Sequence, residues 1–162
     1  MNLHFSASRI LHDEHMVVLG LLNELERVVL ARKEPPAAGD GEIGRFLGKL
    51  RGALAHEISV HFTFEEEALF PILIENGAGD LCELLVEEHV VLRETIADVI
   101  ARVSEGAGGW TPQSWSGLRS VGAELVERLR SHAEKEEMAL LPAIEDAFTP
   151  EIDAEACARH DA

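Results

Sequence analysis

Cysteine is nearly absent. The chain has two, Cys82 and Cys157, and no CxxC pair, which excludes a disulfide framework, a thiolate zinc site and c-type haem attachment. Basic residues are scarce: 14 Lys and Arg face 30 Asp and Glu, a formal charge of -16. Binding to a duplex or a membrane surface needs a basic footprint, so neither nucleic acid nor membrane is expected as a partner. Long apolar runs are missing too. The longest, Met16 to Leu22, is seven residues, against about 20 for a membrane span. The first ten residues show no basic stretch leading into an apolar one, so a secretory leader is not expected and the cytoplasm is the default location. Tyrosine is absent, and no stretch alternates apolar and polar residues, so nothing reads as a strand.

What remains is ordinary for a folded protein of one domain: 162 residues, 46% hydrophobic and 27% charged, enough to bury a core and too apolar for disorder. Pro- and Gly-containing stretches around residues 34–41, 76–79 and 105–110 separate four segments of helical length. They run from about Ser8 to Ala31, Glu42 to Ile74, Leu81 to Val103, and Pro112 to Phe148. Each carries an apolar stripe at steps of three and four, for example Leu11, His15, Val18, Leu22, Leu25 and Val29 in the first. Thr111-Pro112 reads as a cap followed by proline at the first helical position, and Asp80 with Glu83 as a capping box. Thr149-Pro150 repeats the first signal and predicts a short fifth helix to about His160. The expected fold is all-α, an antiparallel up-down four-helix bundle over residues 1–149 with a short helical tail over 150–162.

Eight histidines in so acidic a chain are the first unusual feature, and an internal repeat organises them. His61 to Pro71 aligns with His132 to Pro142, with six of eleven positions identical at an offset of 71; unrelated segments would share about one. Glu14-His15 and Glu88-His89 match more weakly at an offset of 74. The chain therefore reads as two copies of a helix pair. The first helix of each pair offers one His, and the second offers His-x-x-x-Glu.

His61 and Glu65, and likewise His132 and Glu136, are four apart and share a helix face. These four residues, with His15 and His89, lie on the apolar stripes. At about 1.5 Å per residue, their distances from the helix ends place all six at one depth of an up-down bundle. Burying two carboxylates and four imidazoles is costly without compensation, and a metal compensates directly. Nitrogen and carboxylate donors suit iron, manganese or zinc. Six ligands are too many for one tetrahedral zinc. Two shared carboxylates with two imidazoles each supply two metals, and a shared oxo or hydroxo group still leaves an open position on each. A ferritin-like site needs Glu-x-x-His, which does not occur.

The chain resembles the hemerythrin-like, or HHE cation-binding, family in His15 within Asp13-Glu14-His15, His61 to Glu65 with Pro71, Glu88-His89, and His132 to Glu136 with Pro142. The resemblance covers about residues 8 to 148. It implies a four-helix bundle holding a non-haem, carboxylate-bridged di-iron site, with His15, His61, His89 and His132 as terminal ligands and Glu65 and Glu136 as bridges. It also implies a small-molecule ligand such as O2, NO or peroxide. The oxygen carriers of that family place a His four before the third-helix ligand, and Leu85 stands there. They also place an Asp five after the fourth-helix His, whereas this chain has Glu136 four after His132. The pattern is closer to the four-histidine, two-glutamate members, which include nitric-oxide-stress and iron-sulfur-repair proteins. Three functions stay open: a carrier or sensor that only binds, an enzyme-like site handling NO or peroxide or donating iron for cluster repair, or a metal-free or zinc-stabilised scaffold.

The remaining residues read more plainly. His4, His12, His56 and His160 read as surface histidines, with His12, one turn before His15, the only one near the site. Glu66, Glu67 and Glu137 read as solvated. Trp110 and Trp115 read as packing. Glu57 sits on the flank of the stripe four before His61. It is a supporting partner or a third carboxylate, and since Arg128 is its repeat equivalent, any such role is asymmetric. Nothing in the pattern assigns Cys82 or Cys157, and a bundle surface leaves monomer or homodimer open.

Overall fold

A computed structural model describes residues 2–161. Among them there is no strand, and five helices account for the architecture. Helix α1 covers Ser6–Leu25 and runs on through a wide π turn, Glu26–Leu30. Helix α2 opens as Gly41–His56 and continues to Glu75 through two π turns, Glu57–His61 and Glu65–Leu69. Helix α3 is Gly79–Glu105. Helix α4 opens as Pro112–Lys135 and continues to Ala147 through a π turn, Glu136–Leu140. The tail forms α5, Pro150–His160. No helix among the described residues is long and apolar enough to cross a membrane.

The first four helices form the antiparallel bundle, with α3 against α2 and α4, and α1 against α4. Helix α5 lies on α1 and on the second π turn of α2, so it covers part of the groove between α1 and α2. Asp153 on α5 accepts hydrogen bonds from the backbone N–H groups of Ser6 (2.9 Å) and Ala7 (2.8 Å). The residue preceding α1, Phe5, has no capping side chain, and the cap comes from the other end of the chain. At the opposite end of α1, Trp115 Nε1 donates to the Arg32 carbonyl (2.8 Å) and Arg119 to the Leu30 carbonyl (2.9 Å).

Pro71 and Pro142 lie inside α2 and α4. A proline within a helix donates no hydrogen bond and crowds the carbonyl four residues back. Here each follows a π turn, a widened turn that loosens the ladder ahead of the ring. The start of α3 departs from the sequence reading. The helix begins at Gly79 without a side-chain cap, so Asp80 is not the first residue of a capping box. It lies in the first turn, where its charge favours the helix dipole. Thr111 does cap α4, reciprocally with Ser114, and Thr149 caps α5.

The core is in two parts. One cluster, at the far end of the bundle, includes Leu25, Leu50, Ile96, Trp115 and Leu125. The other includes Leu11, Leu69, Leu85, Leu140 and Ile144. Along each of the four bundle helices the polar residues His15, His61, Glu65, His89, His132 and Glu136 fall where one cluster gives way to the other.

Candidate metal centre

All six of those residues are at most 2% exposed. Their inward-facing atoms form two groups, each with donor atoms within 4.8 Å of one another. One consists of His15, His61, Glu65 and Glu136; the other of His89, His132, Glu65 and Glu136. Both carboxylates belong to both groups. Glu65 turns Oε1 toward His61 Nε2 (3.2 Å) and Oε2 toward His89 Nε2 (3.1 Å). Glu136 turns Oε2 toward His15 Nε2 (2.8 Å) and Oε1 toward His132 Nε2 (2.7 Å). Each carboxylate thus faces one histidine pair with each oxygen.

The other ring nitrogen of each histidine meets a carboxylate from a neighbouring helix. His15 Nδ1 donates to Glu137 (2.6 Å), His89 Nδ1 to Glu66 (2.7 Å), and His132 Nδ1 to Glu88 (2.9 Å). His61 Nδ1 lies 3.6 Å from Glu14. These contacts run round the bundle in one direction. Glu14 on α1 serves α2, Glu66 on α2 serves α3, Glu88 on α3 serves α4, and Glu137 on α4 serves α1. With Nδ1 carrying the proton, Nε2 is left as the lone-pair atom pointing inward, the arrangement that orients metal-binding imidazoles.

The repeat encodes this ring. In each Glu-His pair the glutamate belongs to the histidine of the following helix, not to its own neighbour. In each His-x-x-x-Glu-Glu run the first glutamate faces inward and the second reaches the next helix round. Glu66 and Glu137 are therefore not solvated, as their polar neighbourhood suggests; each is half-buried against an imidazole. Glu67 is exposed. Further contacts steady the outer ring: Arg93 on Glu66 (3.0 Å), Lys135 on Glu88, and His12 on Glu137 (2.9 Å). Glu14 is met by His56 (3.1 Å) and by His160 at the end of α5 (2.9 Å). His56 and His160 thus adjoin the site through Glu14, a connection that no helical spacing reveals. His4 pairs with Glu145, away from the site. Trp110 and Trp115 pack edge to face.

Phe62 forms a wall, stacked on the His89 ring at 4.0 Å between centroids. Burial disfavours charge on every one of these imidazoles, yet the glutamates beside them outweigh it. Glu136 raises His15, and Glu65 and Glu57 raise His61 well above the usual histidine value. His89 is pushed up to about 9 by Glu136 and Glu65, and His132 to about 10, mainly by Glu136. Glu136 is held well below the usual carboxylate range, burial being overcome by His132 and the other imidazoles around it. Glu14 is brought down to about 2 by His61, His56 and His160 against its own burial.

Hydrogen bonding alone does not satisfy the layer. Both nitrogens of His61, both oxygens of Glu65 and Glu136 Oε1 are buried without a hydrogen-bond partner. Unpartnered polar atoms at this density are exceptional in a native interior. A cation placed within each group would satisfy the inward-facing atoms among them, and the donor types fit a transition metal. A four-helix bundle with a buried His/Glu layer defines a class of metal-binding protein. A family model described as the hemerythrin HHE cation binding domain matches residues 6–144, and the chain belongs to that family. No curated protein matches it closely enough to count as a relative.

Proposed function

We propose that the protein is a non-haem di-iron protein of the cytoplasm that reacts with a small molecule such as O2, NO or peroxide, in oxidative or nitrosative stress or in iron handling. One observation carries this reading: two histidine pairs share the same two carboxylates, each turning one oxygen to each pair. In this reading His15 and His61 would hold one iron, His89 and His132 the other, and Glu65 and Glu136 would serve both. Manganese or zinc can occupy the same donors. A bound iron pair supplies two redox-active, Lewis-acidic centres with positions left for a small ligand.

The chain's own residues do the rest. Glu66, Glu88 and Glu137 fix the orientation of their imidazoles and keep the proton on Nδ1, and Glu14 faces His61 from 3.6 Å. Phe62 and the two apolar clusters exclude bulk water from the layer. With Leu85 where the oxygen carriers of the family have a further histidine, both positions would stay open to a small ligand, which favours reaction over simple carriage.

The test is metal analysis of protein from iron-replete cells, followed by absorption spectra of the reduced form with O2, NO and peroxide. About two irons per chain, and a reduced form that O2 converts to a stable oxidised state, are expected. A metal content near zero after reconstitution overturns the reading. Repeated uptake and release of unchanged O2 makes the protein a carrier instead.

A further inference from the structure

The two histidine pairs are related by the internal repeat, and the repeat breaks at one place beside them. Four residues before His61 stands Glu57; four before His132 stands Arg128. Arg128 points outward to Glu124 (2.9 Å) with its side chain about half exposed, 48%. Glu57 is turned inward and is 4% exposed. The backbone breaks the repeat at the same point. Glu57–His61 is a π turn, whereas α4 is regular through Lys135 and so has no such turn at 128–132. Widened turns of this kind concentrate at functional sites, and this one begins at Glu57 and ends at His61.

The surroundings of Glu57 do not explain its burial. Its carboxylate adjoins a cleft of about 350 Å³ between α1 and α2, walled by Val17, Val18, Leu21 and Ala53, with Asp13, Glu14 and His56 at its polar side. Among the described residues no Lys or Arg pairs with it. Its ion-pair contact is with His61, Oε1 lying 3.8 Å from Nε2, the atom that faces the centre. A buried carboxylate held by a single long contact is costly, and Glu65 and Glu136 are buried in the same layer.

We propose that Glu57 is a third carboxylate ligand, serving only the metal held by His15 and His61, so that the two metal positions are inequivalent. The inference rests on the two-metal reading and deepens it. The His15/His61 position has five protein donors, from His15, His61, Glu65, Glu136 and Glu57. The His89/His132 position keeps four. An exogenous ligand therefore binds first at the His89/His132 metal, which has more of its coordination shell unfilled.

Glu57→Gln retains the size of the side chain and removes the anionic donor. Wild-type and variant are first compared without metal. Because glutamine is nearly isosteric with glutamate, the metal-free variant should stay folded by circular dichroism with a cooperative melt. Calorimetric titration with cobalt(II) should then show two sites in wild-type. In the variant one site is weakened about 10-fold or more, a ligand's loss being at least as severe as loss of its supporting partner, while the other is unchanged. With ⁵⁷Fe, wild-type should give two distinct Mössbauer doublets of equal area, and the variant should change only one. Equal weakening of both sites, or no change in either, overturns the role of Glu57 while leaving the metal pair intact. A wild-type protein that takes up no cobalt or iron removes the two-metal reading itself, and this inference with it.

Discussion

Each imidazole in the central layer has two different jobs for its two nitrogens, and the outer carboxylates assign them. If Glu88 holds His132 from the far side, Glu88→Ala should weaken metal binding about 10–100-fold without exposing the core, as read by metal titration against wild-type. Unchanged affinity would mean that Glu88 is only a surface partner of Lys135. Protons report on the same pairs. His89 and His132 have folded-state values of about 9 and about 10, above an unfolded value of roughly 6.5. Groups raised in this way contribute stability that is full below the unfolded value and is lost as pH rises through the folded ones. The metal-free protein should therefore lose melting temperature from about pH 7 to about pH 10. Metal uptake must displace those protons, so affinity should tighten over the same interval. A metal-free melting temperature that climbs toward pH 9 contradicts the pairing. At this scale the sequence was informative about one layer and silent about the next. His15, His61, Glu65, His89, His132 and Glu136 stand out because polar residues recur on apolar stripes in register with a repeat. Glu66 and Glu137 do not, because each follows an inward glutamate and shares its helix with solvated neighbours. Their partners lie on other helices, and helical periodicity carries no information about rotation between helices.

Among the elements, α2 and α4 do the most to build the centre, and both do so with backbone that is not regular α-helix. The π turns at Glu65–Leu69 and Glu136–Leu140 follow from the prolines that come after them, which are visible in the sequence as the repeated Pro71 and Pro142. The turn at Glu57–His61 has no proline behind it and no signature in the pattern. Phe62, between the turns that carry His61 and Glu65, links the layer to the far cluster. It is fully buried and stacks on His89. Phe62→Ala should cost about 3–5 kcal/mol in denaturant unfolding of the metal-free protein, whereas a cost below about 1 kcal/mol would show that the wall is not tightly packed. Helix α5 was legible as a helix from Thr149-Pro150, but its attachment was not. Asp153 caps α1 across more than a hundred residues of chain. Asp153→Ala should lower stability by about 0.5–2 kcal/mol, the range for loss of a capping side chain, and Asp153→Asn should recover part of it.

For the whole molecule, a polar layer divides the core, and the protein without metal has to hold two unequal apolar clusters together across it. Burial of Glu57, Glu65 and Glu136 in one layer works against the metal-free fold, and a metal bound only by the folded state works for it. At free metal 100-fold above the dissociation constant that linkage amounts to about 2.7 kcal/mol per site. The loaded protein should accordingly melt several degrees higher, and coincident melting curves for the two forms would contradict a metal-satisfied layer. The bundle itself was readable from four apolar stripes and their punctuation, since short connections between amphipathic helices leave few other arrangements. The direction in which outer carboxylates pass from helix to helix was not, because it depends on how the helices are turned against one another. The most direct measurement is an anomalous difference map, recorded at the iron absorption edge from crystals of iron-loaded protein. Two peaks are expected roughly 3.5–4 Å apart, one beside His15 and His61 and one beside His89 and His132, with Glu65 and Glu136 reaching both. A single peak, or two peaks that do not share those carboxylates, contradicts a bridged pair.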